Sequence, residues 1–359
     1  MNNRLIVGDS FAHPTVELSP SLQLYSVLAR LNRRYPLSFA READLPAVHQ
    51  IYDAVWPDSV SRQRFRKRFR YIYYDSPYGN GAKSIVICRR GAQIIGFMGL
   101  LDCEIWSGGR LIPAVYGVDL CILPAYRGMG IGYLLQASLG QSGRLPMDGN
   151  ANVAAAQLAA RAGAKPIDHC TVWRRWIRPS DYWRTWKSPD TTVTSQATVD
   201  KGFDQLWERA RGTYTFVGLR DRATVSWRFE RNPLHQFCIY TLGRGDTLLG
   251  YIVTMTCQAG RVARSGVLVD FLFAPDAGEL VEPFLAQVLA SLARRGVLFV
   301  DAMVSHLGLQ ALFTCLGFTA QERTPPFMVY ENHMTRDDQS FWDGRQWHLT
   351  FGDADYFLT

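Results

Sequence analysis

The sequence has few of the features that would place a protein in a membrane, a secretory route or a metal-binding class. No apolar run reaches membrane-spanning length, and the opening segment, MNNRLIVGDSFAHP, lacks the long apolar stretch of a signal peptide. The seven cysteines are an odd number and include no C-x-x-C pair, which argues against a disulfide framework and a zinc site. We therefore expect a cytoplasmic protein with no metal and no membrane partner.

Two common phosphate-binding signatures are also missing. A Walker A loop requires Gly-x-x-x-x-Gly-Lys-Ser/Thr, and a Rossmann loop requires Gly-x-Gly-x-x-Gly near the start of a βαβ unit. The glycine-rich segment of this chain is LPAYRGMGIGYLL (123–135), in which the glycines stand at 128, 130 and 132. This spacing fits neither signature, so a different phosphate ligand has to be considered.

The overall composition is that of a globular protein with room for two domains. The chain has 359 residues, of which 47% are hydrophobic and 20% are charged. Its net charge of +7 favours polyanionic ligands in general, and coenzyme A and nucleic acids both meet that description. Charge alone therefore does not identify the ligand.

The glycine-rich segment lies between a predicted strand and a predicted helix. AVYGVDLCIL (114–123) precedes it and is typical of a buried strand, whereas IGYLLQASL (131–139) has apolar residues at helical spacing. The first amides of a helix have no internal partner and lie at the positive end of its dipole, which favours an anion such as a phosphate. Glycines at this point allow a ligand to approach the backbone closely.

The spacing RGMGIG resembles the Arg/Gln-x-x-Gly-x-Gly/Ala pyrophosphate loop of the GNAT acyltransferase superfamily, with Arg127, Gly130 and Gly132 at its fixed positions. The resemblance implies that an acyl-coenzyme A, most simply acetyl-CoA, binds at this loop as co-substrate. The residues that it assigns to cofactor binding are Cys121, Ile122, Leu123, Arg127, Gly128, Met129, Gly130, Ile131, Gly132 and Asn152.

The two halves of the chain repeat one pattern. RGAQIIGF (90–97) is echoed by RGDTLLGY (244–251), and GVDLCILP (117–124) is echoed by LVDFLFAP (268–275). Both copies place an aspartate, Asp119 or Asp270, five residues before the proline. The element order predicted for each copy is that of the GNAT fold, so the resemblance extends over most of the chain.

We therefore predict an α/β protein made of two tandem GNAT-like domains, each a twisted mixed β-sheet flanked by helices. The predicted organisation is an N-terminal extension (1–34), an acyl-CoA-binding domain (35–180), a linker (181–194), a degenerate second domain (195–335) and a C-terminal tail (336–359).

The second copy lacks the features that would bind a phosphate. Its strand is followed by DAGELVEP (276–283), in which only Gly278 remains and Asp276, Glu279 and Glu282 bring negative charge to the predicted helix start. Because an acidic helix start repels an anion, we expect the second domain to bind no coenzyme A. It would instead enclose the acceptor pocket or form an internal interface.

The catalytic groups are less well defined than the loop. The resemblance implies a tyrosine that protonates the leaving thiolate, but that position is Ala159 in the first copy and Phe313 in the second. Tyr116 and Asp119 are the remaining candidates on the strand before the loop. Each also has a structural interpretation, Tyr116 as core and Asp119 as a conformational support present in both copies.

Two basic aromatic stretches are left open at this stage. SRQRFRKRFRYIYY (61–74) places aromatic residues every four positions, so a helix would bury them and display arginines to solvent or to an acidic acceptor. WRRWIRPSDYWRTW (173–186) combines tryptophan with arginine, which can stack on bases, but we interpret it as a linker that fills the groove between the domains.

The sequence thus favours an acyl-CoA-dependent N-acyltransferase, most simply an N-acetyltransferase, that acts on the amine of a small metabolite bound near the interdomain cleft. The alternatives are a catalytically silent acyl-CoA sensor, suggested by Ala159, and an aminoacyl-tRNA-dependent transferase, suggested by the arginine-rich stretch. No other nucleic-acid motif is present. The acceptor, the acyl chain length and the oligomeric state, including a homo-oligomer, are left open.

Overall fold

A computed structural model describes residues 22–140, 142–149, 152–186, 190–259, 263–321, 327–332, 334–335, 337–353 and 357. Residues 1–21 of the predicted N-terminal extension lie outside this description, as does most of the segment after Asp353.

The first half of the chain supplies the elements that surround the glycine-rich loop. They are α1 (Leu22–Arg34), β1 (Leu37–Phe39), α2 (Leu45–Val55), α3 (Ser59–Tyr73), β2 (Ile85–Arg90), β3 (Gln93–Ser107), β4 (Arg110–Ile122), α4 (Ile131–Leu139), β5 (Leu145–Asp148), α5 (Val153–Arg161), β6 (Ala164–Pro166) and β7 (Thr171–Trp176).

The second half repeats much of this order. Its elements are β8 (Thr191–Ser195), α6 (Lys201–Ala210), β9 (Phe216–Gly218), α7 (Arg222–Val225), a π-helical turn (Ser226–Glu230), β10 (Cys238–Arg244), β11 (Thr247–Ala259), β12 (Ala263–Phe273), α8 (Val281–Arg294), β13 (Val297–Val304), α9 (Leu307–Cys315), β14 (Thr319–Ala320), β15 (Met328–Tyr330) and β16 (Trp347–His348).

The strands form two mixed sheets with equivalent internal pairing. The main order of the first sheet is β1-β2-β3-β4-β5-β15-β6, and that of the second is β14-β7-β13-β12-β11-β10-β8. In the first sheet Gly96 lies opposite Ile122, and in the second Gly250 lies opposite Phe273, so each glycine faces the residue two positions before the repeated proline. The predicted two-sheet α/β fold is confirmed.

Helices cover both faces of each sheet. In the first unit, side chains of α2 and α3 pack on one face, and those of α1, α4 and α5 pack on the other. In the second unit, α8 and α9 cover one face and α6 and α7 cover the other. Helix α1 falls within the predicted N-terminal extension, but its Leu28 is buried in the core of the first unit.

The aromatic stripe of α3 is buried as its spacing predicts. Phe65, Phe69 and Tyr73 are at most 5% exposed, because residues four apart lie on the same side of a helix. The helix begins at Asp58, whose carboxylate accepts a hydrogen bond from the amide of Ser61 at 2.7 Å and so satisfies one free donor of the first turn.

The two units exchange strands, which the sequence did not predict. β7, from within the predicted 35–180 domain, pairs with β13 and β14 of the second sheet. In return β15, from within the predicted 195–335 domain, pairs with β5 and β6 of the first sheet. The predicted boundaries describe the repeated sequence, whereas the sheets cross them.

The stretch 173–186 is therefore not a plug between the domains, and that interpretation is wrong. Part of it is the strand β7. Arg174 bonds Asp301 with both guanidinium nitrogens at 2.7 and 2.8 Å, and Arg175 bonds Asp181 at 2.7 Å. These two arginines stabilise the second unit and are engaged by carboxylates, so they are not available for stacking on bases.

A buried charge cluster joins the second sheet to the C-terminal segment. Arg220 lies between Asp270 of β12, at 3.0 Å, and Asp353, at 2.6 Å, and these side chains are at most 8% exposed. Burial acts to raise the pKa of Asp270, but the Arg220 charge and the hydroxyls of Thr350 and Tyr251 hold that pKa below its ordinary value.

Removing Arg220 would leave two buried carboxylates without their cation. We expect Arg220→Met to lower the free energy of unfolding by roughly 3–5 kcal/mol, measured by urea denaturation. The matched control is Arg66→Met, because Arg66 pairs with Asp53 at an exposed site and its loss should cost about 1 kcal/mol or less. Equal losses in the two variants would contradict a structural role for the cluster.

Candidate functional site

The glycine-rich loop connects β4 to α4 in a tight left-handed turn. After β4 the chain makes one short helical turn at Pro124–Tyr126, and the loop follows. Gly128 has φ +78° and Gly130 has φ +82°, in the region that favours glycine. Gly130 is the residue at which α4 begins.

The main-chain N–H groups of the glycine-rich loop have no hydrogen-bond acceptor among the described residues. Within the described part of the chain, the N–H groups from Gly128 to Tyr133 donate no hydrogen bond, and the first helical bond of α4 is made by Leu134 to the carbonyl of Gly130 at 3.0 Å. These amides lie at the positive end of the α4 dipole. A run of free amides in this position can bind an anion such as a pyrophosphate.

The third glycine of the loop is small for a packing reason as well. A Cβ at Gly132 would lie 3.1 Å from the Leu158 side chain of α5 and 3.2 Å from that of Ile122. At Gly130 a Cβ would meet the Leu31 side chain of α1 at 3.1 Å. The loop is thus held closely by α1 and α5, which keeps its amides in place.

Two other loop residues lie at the surface. Arg127 donates from Nε to the carbonyl of Ile122 at 3.4 Å, at an exposed site. Met129 is 42% exposed, and its sulfur lies 3.6 Å from the Tyr35 hydroxyl.

The strand before the loop is separated from its neighbour along half its length. β4 pairs with β5 only from Ala114 to Tyr116, opposite Leu145 to Met147, and residues 117–122 have no strand partner on that side among the described residues. Cys121 and Ile122 lie along this gap, which runs directly up to the glycine-rich loop. A ligand bound at the loop can therefore extend into the gap and meet the free edge of β4.

The cysteine on this edge is not set up as a nucleophile. Cys121 is buried, and burial raises the pKa of its thiol to about 12. A thiol with such a pKa is protonated at neutral pH, whereas the nucleophilic form is the thiolate.

Asp119 is occupied by two partners. Its carboxylate accepts hydrogen bonds from the Arg68 guanidinium and from the Tyr73 hydroxyl, the latter at 2.7 Å. Its φ of +55° marks an irregular point in β4. Tyr73 reaches it only because position 99 is glycine, since a Cβ there would overlap the hydroxyl.

The second unit builds the same arrangement around its own aspartate. Asp270 accepts hydrogen bonds from Arg220 and from the Tyr251 hydroxyl, the latter at 2.6 Å. Because this unit has no glycine-rich loop, the shared carboxylate–arginine–tyrosine arrangement supports a structural role for Asp119 over a catalytic one.

Tyr116 lies at the point where β4 and β5 separate. It is 2% exposed and lines a cavity of about 20 Å³ between the two units, together with Cys103, Arg228 and Asp353. A cavity of that size is large enough for a water molecule. Burial raises the pKa of Tyr116 well above its ordinary value, so the hydroxyl keeps its proton at neutral pH.

The helix that should carry the family's tyrosine offers no acid. Ala159 is completely buried in α5 and has no polar group. Asn152 caps the start of this helix by accepting from the amide of Ala155 at 3.0 Å. The side-chain oxygen of Asn152 is therefore engaged in the helix cap. The contact with the cofactor that the resemblance implies for Asn152 would be made by its side-chain NH₂ group.

In the second sheet, the corresponding gap between β12 and β13 is filled by the C-terminal segment of the same chain. β12 pairs with β13 only from Arg264 to Leu268, after which residues 347–353 enter the space. The amide of Gly352 donates to the carbonyl of Val269 at 2.8 Å, and His348 Nε2 lies 2.7 Å from the carbonyl oxygen of Phe271. The sequence placed this segment outside the repeat and gave no signal that it fills the gap.

The turn after β12 also differs from the glycine-rich loop. Asp276 is bonded by Arg209 at 3.1 Å, and Gly278 is the one left-handed glycine between β12 and α8. The gap and the turn together argue against an anion site in the second unit.

The described residues contain neither a helix suited to crossing a bilayer nor a cluster of metal-binding side chains. None of the helices there combines the length and the apolar character that crossing a bilayer requires. In that part of the chain, histidine, cysteine and carboxylate side chains do not gather in groups of three or more that could hold a metal ion.

Solved structures with a similar fold include proteins described as acyltransferases. The chain is similar to a GCN5-related N-acetyltransferase from Anabaena variabilis, with a TM-score of 0.62 and 15% identity over 82% of this chain and 72% of that one. It is similar to another from Kribbella flavida, with a TM-score of 0.58 and 15% identity over 82% and 70% of the two chains.

A third similar structure is N-myristoyltransferase from Saccharomyces cerevisiae with bound myristoyl-CoA, with a TM-score of 0.52 and 10% identity over 83% and 79% of the two chains. No protein-family profile and no curated protein sequence matches the chain. The chain has the GNAT fold, as the sequence predicted.

The buried histidine of the filled gap should make stability depend on pH. Burial and the Arg220 charge lower the pKa of His348 from 6.5 to about 3. The carbonyl oxygen of Phe271 can only accept a hydrogen bond, so Nε2 of the neutral His348 ring carries the hydrogen. The folded protein keeps the ring neutral while the unfolded chain protonates it, so the stabilisation present above pH 6.5 is lost as pH falls towards 3.

We expect this residue to account for a loss of ~1.4 kcal/mol in unfolding free energy per pH unit below its ordinary pKa. Urea unfolding at several pH values between neutral and mildly acidic should give a steeper decline for the wild type than for His348→Gln. Parallel curves for the two proteins would contradict a neutral buried His348.

Proposed function

We propose that the chain is an acyl-CoA-dependent N-acyltransferase that moves an acyl group, most simply acetyl, to the amine of a small molecule. The observation that carries this proposal is the run of free amides at Gly128–Tyr133 that opens directly into the gap beside β4. The amides can bind the pyrophosphate of coenzyme A. The gap can hold the extended arm of the cofactor, whose acyl end would then lie at the free edge of β4. The 35–180 unit would bind the donor, and the 195–335 unit would help to form the acceptor site.

The chemistry needs few side chains because a thioester carbonyl is already activated. A backbone N–H on the free edge of β4 would stabilise the oxyanion that forms when the amine nitrogen attacks the carbonyl carbon. The C–S bond then breaks, the sulfur receives a proton and the nitrogen loses one. With Ala159 in place of an acid, the proton would come from water or from Tyr116, whose hydroxyl is protonated and lines the interdomain cavity.

A second candidate function is an acyl-CoA sensor without turnover, which the absence of an acid at Ala159 favours. The two candidates differ in thiol release. Mass spectrometry of an amine panel incubated with acetyl-CoA and longer acyl-CoAs, together with a free-thiol assay, identifies an acyltransferase by a new amide and by liberated coenzyme A. Binding without thiol would identify a sensor.

We expect one coenzyme A per chain and loss of binding in Gly130→Glu. The new side chain would collide with Leu31 and place a carboxylate beside the pyrophosphate, so affinity should fall by roughly a hundredfold or more. Titration calorimetry measures both stoichiometry and affinity.

The control for this variant is Gly278→Glu, because Gly278 also has a positive φ, in the corresponding turn of the second unit, and no atom would contact its Cβ. It also places a glutamate side chain at a positive-φ position and should leave coenzyme A affinity unchanged. A stoichiometry of two, or unaltered affinity in Gly130→Glu, would show that the loop is not the cofactor site.

Tyr116→Phe should lower turnover by roughly tenfold to a hundredfold if the hydroxyl protonates the leaving thiolate. Tyr240→Phe is the control, since Tyr240 is also a buried tyrosine but its hydroxyl bonds Ser291 within the second unit. Steady-state thiol release, measured with coenzyme A affinity and melting temperature in parallel, separates chemistry from binding and folding. Unchanged turnover would leave Tyr116 as a core residue.

A further inference from the structure

The helix α3 turns one of its faces towards the second unit. Tyr71 and Trp227 hold the two together, because the Tyr71 hydroxyl donates to the Trp227 carbonyl and Trp227 Nε1 donates to the Tyr71 carbonyl at 3.2 Å. Their rings stack with centroids 5.3 Å apart. Both residues are buried, so this contact fixes how α3 faces the segment that follows Trp227.

Two exposed cations lie on the same side of α3 as Tyr71. Arg64 and Lys67 are seven and four residues before it, at spacings that place side chains along one side of a helix. The guanidinium of Arg64 lies 3.4 Å from His235 Nε2 of the second unit, which shows that this side faces the interface.

A third cation comes from the second unit. Arg231 directly follows the π-helical turn, four residues after Trp227, whose ring stacks on that of Tyr71, and its positive charge opposes the rise in the Tyr71 pKa that burial causes. Arg231 is exposed. We call Arg64, Lys67, Arg231 and His235 together the interdomain basic surface.

Three members of this surface, Arg64, Lys67 and Arg231, carry a permanent positive charge. Among the described residues, Arg64, Lys67 and Arg231 form no ion pair. The other exposed arginines of α3 do, since Arg66 pairs with Asp53 at 2.9 Å and Arg70 lies 3.7 Å from Asp75. Arg64 and Lys67 thus leave positive charge on the side of α3 that faces the second unit.

This surface lies beside the gap in the first sheet. Arg68, the residue after Lys67, forms a buried ion pair with Asp119 of β4, within the stretch that has no partner strand. Arg64 is one helical turn further along, or ~5 Å. The interdomain basic surface is therefore connected through one turn of α3 to the stretch of β4 that contains Asp119.

We propose that the interdomain basic surface selects an acceptor that carries a negative charge, a carboxylate or a phosphate, in addition to its amine. The inference rests on the proposed function, which it extends to the class of acceptor. Unpaired cations in close proximity repel one another, and a bound anion relieves that repulsion. Asp75, whose charge also acts on Tyr71, lies 3.7 Å from Arg70 and not within ion-pair distance of Arg64, Lys67 or Arg231.

The test measures binding first, so that it does not depend on turnover. Calorimetry on the coenzyme A-loaded protein at low ionic strength compares two charged amines, β-alanine and O-phosphoethanolamine, with their neutral counterparts, β-alaninamide and ethanolamine. We expect at least one charged amine to bind roughly tenfold or more tightly than its neutral counterpart, and this preference to weaken as salt is added. The two pairs distinguish a carboxylate acceptor from a phosphate acceptor.

The variant Arg64→Gln/Lys67→Gln should weaken binding of the charged amine by roughly three- to thirtyfold and leave the neutral amine unaffected. The matched control is Arg66→Gln/Arg70→Gln, which removes the same charge from the same helix but from its paired sides. Control binding should change less than roughly twofold.

Several results would overturn the inference. These are equal binding of charged and neutral amines, absence of binding by both charged amines, or equal losses in the two double variants. Salt-sensitive binding of a transfer RNA in place of the small amines would also overturn it and point to a nucleic-acid partner. If charged amines bind selectively but no thiol is released from acetyl-CoA, the proposed function fails while the selectivity of the surface stands.

Discussion

Backbone amides and carbonyls within a sheet need partners, and this requirement shapes both units of the molecule. In each sheet two neighbouring strands separate near the equivalent position. β4 leaves β5 after Tyr116, and β12 leaves β13 after Leu268. In the second unit, the chain's own residues 347–353 supply the missing partners. In the first unit, none of the described residues pairs with the edge of β4 beyond Tyr116 or accepts a hydrogen bond from the amides of Gly128–Tyr133. The strand edge is thus covered in the second unit, whereas no described residue covers it in the first. For this reason the candidate site lies in the first unit.

The filled gap also connects the units. The same C-terminal segment begins as β16, which pairs with β9, and β9 in turn pairs with β3 of the first sheet. Its Asp353 reaches the buried Arg220 and lines the cavity that Tyr116 shares. A segment that closes the second unit is thus in contact with the surroundings of the first unit's gap, and the position of the proposed acceptor site depends on it.

The sequence allowed much of this to be predicted, and the rest depended on contacts that local patterns do not encode. Gly128 and Gly130 have the positive φ that a glycine-rich turn suggests, and the repeated aspartates occupy equivalent positions because each binds an arginine and a tyrosine from its own unit. The strand exchange could not be predicted from the sequence. The residue pattern of β7 and β15 is typical of strands, but it does not indicate which sheet each strand joins. Similarly, the sequence alone did not show that Arg174 and Arg175 are bound by carboxylates and do not form a binding surface.

The strand exchange has a consequence for how the protein is made. The first sheet needs β15 between β5 and β6, and this strand is synthesised about 180 residues after β5, counting from Asp148 to Met328. While the ribosome is still producing the second unit, the first sheet is complete only as far as β5, and the edge that later receives β15 is exposed. The first sheet therefore cannot be completed before β15 is synthesised, and the nascent chain carries an open β edge, a known starting point for mispairing, until its last tenth emerges.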